Sequence, residues 1–319
     1  METVGQWWMW VTFFGFVSIM LYVDLFLLGA KKAHCVSTKE ALSWTLVWIS
    51  LALLFNFLFW AYLKHTVGIT IANQKAIEFF TGYLIEKSLS VDNIFVILMI
   101  FNFFAIPAEY QRRVLTFGVI GAIIMRLILI LLGIWLVSLF DWILYIFGAF
   151  LLMTGIKMFI FAEHKPDLST NPILMWLRNH LRITHNLHEE RFYLIQKGLL
   201  YVTPLFIALI FVEISDLIFA VDSIPAIFAV THDPFIVFTS NIFAILGLRA
   251  LYFLFAHMNN RFSLLKYGLA FILTFIGIKM LIVHWIKIPT LIGLGVIVLT
   301  LLICILLSMC REKLQKNKL

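Results

Sequence analysis

Three carboxylates, Glu213, Asp216 and Asp222, lie in E-I-S-D-L-I-F-A-V-D-S-I-P, a stretch that ends at Pro225 and is otherwise almost wholly apolar. Two more, Glu86 and Asp92, lie in E-K-S-L-S-V-D-N, which ends at Asn93. Ionisable side chains inside apolar spans are costly and mark ion pathways, proton relays or binding sites. Together with the oxygens of Asn93, Ser223 and Asn241 they offer an all-oxygen ligand set, which suits hard divalent cations such as Mn²⁺, Mg²⁺ or Ca²⁺. No Cys or His stands among them, which argues against a dedicated zinc or copper site.

The elements that must hold these acids are membrane helices. The 319 residues are 63% hydrophobic and 13% charged, with a mean hydropathy of +1.02, more apolar side chain than a soluble domain can hide. A span needs roughly 20 mostly apolar residues. That length gives nine candidates, at 8–28, 42–63, 77–104, 114–137, 142–162, 199–230, 235–256, 264–285 and 290–309. The expected class is an all-α polytopic membrane protein forming one membrane domain over 1–319. A cleavable signal peptide is not expected, because the N-terminus lacks a basic region and Lys31 and Lys32 follow the first span. Cys35, Cys304 and Cys310 have no zinc or disulfide spacing.

The net charge of +7 follows membrane topology rather than nucleic-acid binding. Lys31, Lys32, Lys39, Arg112, Arg113, Arg178, Arg182, Arg191, Lys197, Arg261 and Lys266 fall in alternate loops, and Arg311, Lys313, Lys316 and Lys318 form the tail. The positive-inside rule then puts the N-terminus outside and the C-terminus in the cytoplasm. Trp7, Trp8 and Trp10 read as an interfacial aromatic belt without a cofactor role. No cofactor is expected.

The two acidic spans are related. Glu86 precedes Asp92 by six residues, as Asp216 precedes Asp222, within V-D-N-I and V-D-S-I. One span later G-A-I-I-M-R ends at Arg126 and A-I-L-G-L-R at Arg249. The next span brings T-G-I-K-M-F around Lys157 and F-I-G-I-K-M-L around Lys279. Spans 3–5 (77–162) therefore repeat in spans 6–8 (199–285), joined by a cytoplasmic linker at 163–198 and followed by a final span at 290–309. Three helices per unit invert the second unit, the plan of many secondary transporters. Asp92 and Asp222 would then face each other near the midplane, with Asp24 of the first span within reach of the same cavity. In the linker, His180, His185 and His188 beside Glu189 and Glu190 allow metal sensing, but a surface helix or linker is the simpler expectation.

Residues six apart point about 120° away from each other on an ideal helix. Sharing a site therefore calls for broken helices, which Ser88, Ser90 and Pro225 invite. The expectation is Asp92 and Asp222 as ligands, with Glu86, Glu213 and Asp216 outside them or carrying protons. Arg126, Arg249, Lys157 and Lys279 would brace the acids or hold the empty gate. The plainer alternative is that these basic residues pair with the acids and fasten the bundle.

The run from T-P-L-F-I-A-L-I-F-V-E-I-S-D through to A-I-L-G-L-R resembles the signature of the TerC family of integral membrane proteins, and E-K-S-L-S-V-D-N is similar to its Alx-type branch. The resemblance covers nearly the whole chain. It implies export of Mn²⁺ from the bacterial cytoplasm across the inner membrane, with Glu86, Asp92, Glu213, Asp216 and Asp222 in the pathway; the family was named for tellurite resistance. A proton-coupled secondary carrier without enzymatic activity is the leading expectation, with the metal ion and the bilayer as its partners. A scaffold or tellurite-resistance component without transport is the alternative. An intramembrane aspartyl protease is remote, since its Gly-X-Gly-Asp pattern is absent.

Overall fold

A computed structural model describes residues 3–23, 37–140, 142–160, 172–184, 190–196, 198–256, 264–283, 285–286 and 288–316. Asp24, His185, His188 and Glu189 lie outside the described residues, as does the side chain of Asp92, whose backbone is helical. In chain order the elements are α1 (Trp7–Tyr22), α2 (Thr38–Thr66), α3 (Ile69–Phe103), α4 (Ala108–Leu139), α5 (Ile143–Ile160) and α6 (Pro172–His180). A hairpin follows, β1 (Tyr193–Gln196) with β2 (Leu199–Val202). The chain continues through α7 (Pro204–Phe228), α8 (Pro234–Leu246), α9 (Leu248–Ala256), α10 (Leu265–Leu281) and α11 (Thr290–Lys316).

The protein is thus an all-α polytopic membrane protein apart from one hairpin. Among the described residues, 6 helices are long and apolar enough to cross a membrane, counting α8 and α9 as one. Three of the nine expected spans fall outside that group for visible reasons. The described part of α1 has 16 residues and α10 has 17. Helix α3 has 35, but Lys75, Glu78, Glu86, Lys87 and Asp92 dilute its apolar character.

Two boundaries differ from the sequence expectation. The apolar residues 199–202 extend no helix: they pair antiparallel with β1, Tyr193 opposite Val202 and Gln196 opposite Leu199. Gly198, at φ +75°, makes the left-handed step that closes this hairpin. Helix α7 starts only at Pro204, where the missing N–H costs nothing. The second difference concerns helix breaks, expected in α3 and α7. Both are continuous. Ser88 donates back to the Leu84 carbonyl (2.6 Å), which supplements the helix ladder instead of replacing it. Pro225 sits in the last turn of α7, where it denies the Val221 carbonyl its usual donor without stopping the helix.

The interruption falls instead at Gly247, between α8 and α9. There the Lys87 ammonium donates to the Ala244 carbonyl (3.3 Å). A side chain at Gly247 would run into that ammonium and into Trp48. Helix α8 is enclosed: every residue from Phe235 to Leu246 is buried. At one end of the bundle, Asp233 caps α8 and accepts hydrogen bonds from the Thr3 hydroxyl and the Val4 amide, both 2.9 Å. Beside it, buried Glu78 accepts from Gln74, Lys75 and Thr231. At the far end of these helices Arg113 lies over Phe192 and pairs with Glu190, docking the hairpin region on α4.

Helix α3 packs on α8, α4 on α7, and α5 most extensively on α10. The α5–α10 contact is reciprocal. Gly155 lies against the Thr274 amide and Ala270 carbonyl, and Gly277 against the Leu152 amide and Gly148 carbonyl. Small residues let helix backbones approach where lipid removes the hydrophobic drive to associate. A Cβ at Gly277 would come within 2.6 Å of the Leu152 nitrogen, so the helices would have to separate. Gly277→Val is therefore expected to destabilise the purified protein by about 1–3 kcal/mol, read as a lowered melting temperature in detergent.

Candidate functional site

Glu86, Arg126 and Asp216 each sit near the middle of a long helix, α3, α4 and α7 respectively. Their side chains meet. Arg126 is buried at 2% exposure, and its guanidinium holds Asp216 through two parallel bonds, Nη2 to Oδ1 at 3.0 Å and Nε to Oδ2 at 3.3 Å. This forked pairing is the strong geometry for arginine and carboxylate. Nη1 donates to Glu86 Oε1, to Asn241 Oδ1 (3.1 Å) and, more distantly, to Ser223 Oγ (3.4 Å).

The amides complete the cluster. Asn241 returns its Nδ2 to Glu86 Oε2 (3.2 Å), and Asn93 donates its Nδ2 to Asp216 Oδ1 (3.1 Å). Because Asp216 requires the donor side of Asn93, the Asn93 oxygen is turned away, and it has no hydrogen-bond partner. The same holds for Glu213 Oε2 and Asp222 Oδ1. Every carboxylate oxygen of the Glu86–Asp216 pair thus has a donor, while Asn93 Oδ1 beside them and Glu213 Oε2 and Asp222 Oδ1 elsewhere on α7 lack one. Unpartnered buried oxygens are expensive and call for a cation, a proton or a water.

Helix geometry explains which residues converge. Glu86 and Asn93 are seven apart, two turns of α3, and so face the same way; Asp216 and Ser223 do the same on α7. Glu213, three residues before Asp216, also faces α4, where its carboxylate lies against Gly121. Asp222 faces elsewhere, hydrogen-bonded to Thr154 and within electrostatic reach of Lys157 on α5. Of the four basic residues, Arg126 engages two acids and Lys157 attends Asp222. Arg249 donates to Thr116 Oγ1 (2.9 Å), and the Lys279 ammonium lies beside Gly293 on α11.

Sequence spacing pointed to six-residue intervals, whereas the convergent pairs are seven apart. Two participants escaped notice: Lys87, which reaches the α8–α9 break, and Gly121, whose bare backbone accommodates Glu213. The recurring seven-residue polar pair was the available signal. Among the described residues, no three His, Cys, Asp or Glu side chains converge closely enough to hold a metal ion. In the linker, His180 bonds the Trp176 carbonyl and stacks on its ring, as a surface-helix residue does.

The description "Integral membrane protein TerC family" matches residues 71–316, which include every residue of this cluster. The chain belongs to the TerC family. A TerC-family relative from Escherichia coli (strain K12), named "Putative membrane-bound redox modulator Alx", is 58% identical over 297 residues, covering 93% of this chain and 92% of the relative. One of the same name from Photorhabdus laumondii is 54% identical over 318 residues, covering 100% of this chain and 99% of that protein. An uncharacterized membrane protein of Myxococcus xanthus is 45% identical over 301 residues, with 93% and 91% coverage. No solved structure matches.

A side chain at Gly121 would collide with the Glu213 carboxylate. Gly121→Val is expected to push that carboxylate out of place and to cost about 1–3 kcal/mol of stability. Thermal unfolding should show this, with Gly121→Ala giving a smaller loss.

Proposed function

We propose that this TerC-family protein is a secondary carrier that moves a divalent metal cation, Mn²⁺ foremost, out of the bacterial cytoplasm. The observation that carries this reading is the set of buried oxygens without donors, Asn93 Oδ1 beside the Glu86–Asp216 centre and Glu213 Oε2 and Asp222 Oδ1 elsewhere on α7. Hard divalent cations take such oxygens as ligands. The choice of Mn²⁺ rests on the resemblance of the motifs to the Alx-type branch.

The proposed architecture has nine spans, an outside N-terminus and a cytoplasmic C-terminus, with spans 3–5 repeated inverted in spans 6–8. Reciprocal packing of α3 on α8 and α4 on α7 supports it, as does the α5–α10 contact. Gly155 and Gly277 hold matched places in the two G-I-K motifs. Each meets the backbone three and seven residues before its partner glycine. Two-fold-related surfaces contact one another in this reciprocal way. Carboxylates near one another titrate together, so protons entering as metal leaves would supply coupling. Moving each charge against 100 mV costs about 2.3 kcal/mol, so export against an inside-negative potential needs such a drive.

A second reading, a membrane scaffold without transport, draws on the Arg126 bonds to Glu86 and Asp216, which also suit fastening. One assay separates the two. Everted vesicles containing the protein should take up Mn²⁺ when a proton gradient is imposed. Asp222→Asn and Glu213→Gln should reach the membrane at normal levels and lose at least about 10-fold in uptake rate, a differential of about 1.4 kcal/mol. Wild-type vesicles that take up no Mn²⁺ would sink the carrier reading. Variants that keep both uptake and phenotype would move the pathway away from these acids.

A further inference from the structure

We infer that Arg126 is a tethered stand-in for the cargo: its guanidinium fills the carboxylate site of the empty carrier and withdraws when a divalent cation binds. This rests on the transport reading and extends it to the step in which the unloaded protein resets.

The oxygens around the guanidinium are the argument. Glu86 and Asp216 spend all four carboxylate oxygens on Arg126, Asn241 and Asn93. With Arg126 in place, every carboxylate oxygen of this pair already has a donor, and the guanidinium is bonded to both carboxylates at once. With the guanidinium withdrawn, the same shell offers two carboxylates, Asn241 Oδ1 and Ser223 Oγ, close to the six to eight oxygens that hard cations take. Asn93 supplies the independent sign of a ligand. It is buried at 2% exposure, anchored by its amide to Asp216, and its oxygen has no donor although Arg126 bonds the same carboxylate.

The guanidinium also has a place to go. Helical side chains lean toward the N-terminus of their helix. On α4 that direction leads from Arg126 toward Gly121, where the Glu213 carboxylate lies with Oε2 unpartnered. Glu213 precedes Asp216 by one turn on the same face of α7, so its carboxylate is the next one along that helix toward its N-terminus. Charge fits the exchange. The guanidinium cancels one of the two carboxylate charges, and a divalent cation cancels both. Without Arg126 the empty site would carry both charges uncompensated through its return.

Net efflux requires that empty return, whereas exchange of external for internal metal does not. In proteoliposomes carrying the full chain, Arg126→Gln should lower the ratio of net efflux to Mn²⁺–Mn²⁺ exchange at least about 10-fold relative to wild type. Its Mn²⁺ affinity should rise about 10-fold or more, because a competitor has been removed. Added Mn²⁺ should raise its melting temperature more than that of the wild type. Arg126→Lys keeps a cation but loses the fork, and should shift the same quantities part-way; it decides the matter if the glutamine form does not fold. Unchanged affinity, or exchange and net efflux falling together in folded protein, overturns the inference while leaving the carrier standing. Wild-type protein that exchanges no Mn²⁺ overturns both.

Discussion

A guanidinium clasped by two carboxylates at the centre of a helical bundle sets the terms for everything around it. Ions removed from water cost several kcal/mol each, and mutual attraction offsets this only when the geometry is good and the remaining donors and acceptors are met. Here Arg126, Glu86 and Asp216 meet that demand through a forked pair and two asparagines. Satisfying it fixes the relative height of α3, α4, α7 and α8 at one level. A slide of one residue along any of them would move a charge by about 1.5 Å and turn it by about 100°.

Away from the centre the bundle is held by other means. Glycine-mediated backbone approach joins α5 to α10. Aromatic rings from α1, α2, α3 and α8, among them Phe13, Phe55, Phe79 and Phe243, fill one side of the core. Both devices are apolar and tolerate adjustment, whereas the ionic centre does not. The break at Gly247, between α8 and α9, lies where a lysine from α3 meets the Ala244 carbonyl of α8. This irregular backbone thus lies next to Glu86, where protein rather than lipid surrounds it.

Much of this was legible from the chain alone. The all-α membrane class was legible in the apolar stretches, and two of the five acids singled out, Glu86 and Asp216, meet at the polar centre. The identity of the contacts was less accessible. Asp92 and Asp222 looked central from their repeated motif, yet Asp222 turns to Thr154 and Lys157 on α5. Facing depends on helix phase, and an assumed break after Ser88 or before Pro225 shifts that phase. With α3 and α7 continuous, the members that converge are Glu86 with Asn93 and Asp216 with Ser223. The hairpin was missed for a similar reason: Leu199–Val202 is as apolar as a span, and only Gly198 and Pro204 mark it off. The roles of Lys87 and Gly121 depend on neighbours more than a hundred and about ninety residues away, which no local window holds.

Synthesis order gives the central cluster a history. Glu86 leaves the ribosome first, and Arg126 follows 40 residues later. Asp216 arrives only 90 residues after Arg126, and Asn241 is 115 residues behind it. During the interval the growing chain holds Arg126 with Glu86 alone, a neutral pair that lacks the forked acceptor Asp216 supplies. Translation through the linker and hairpin therefore prolongs an intermediate whose guanidinium is only partly hydrogen-bonded, which ends when α7 and α8 close around it. Quality control of the nascent protein would read this second half, for until it arrives the Arg126 donors lack the acceptors of Asp216 and Asn241.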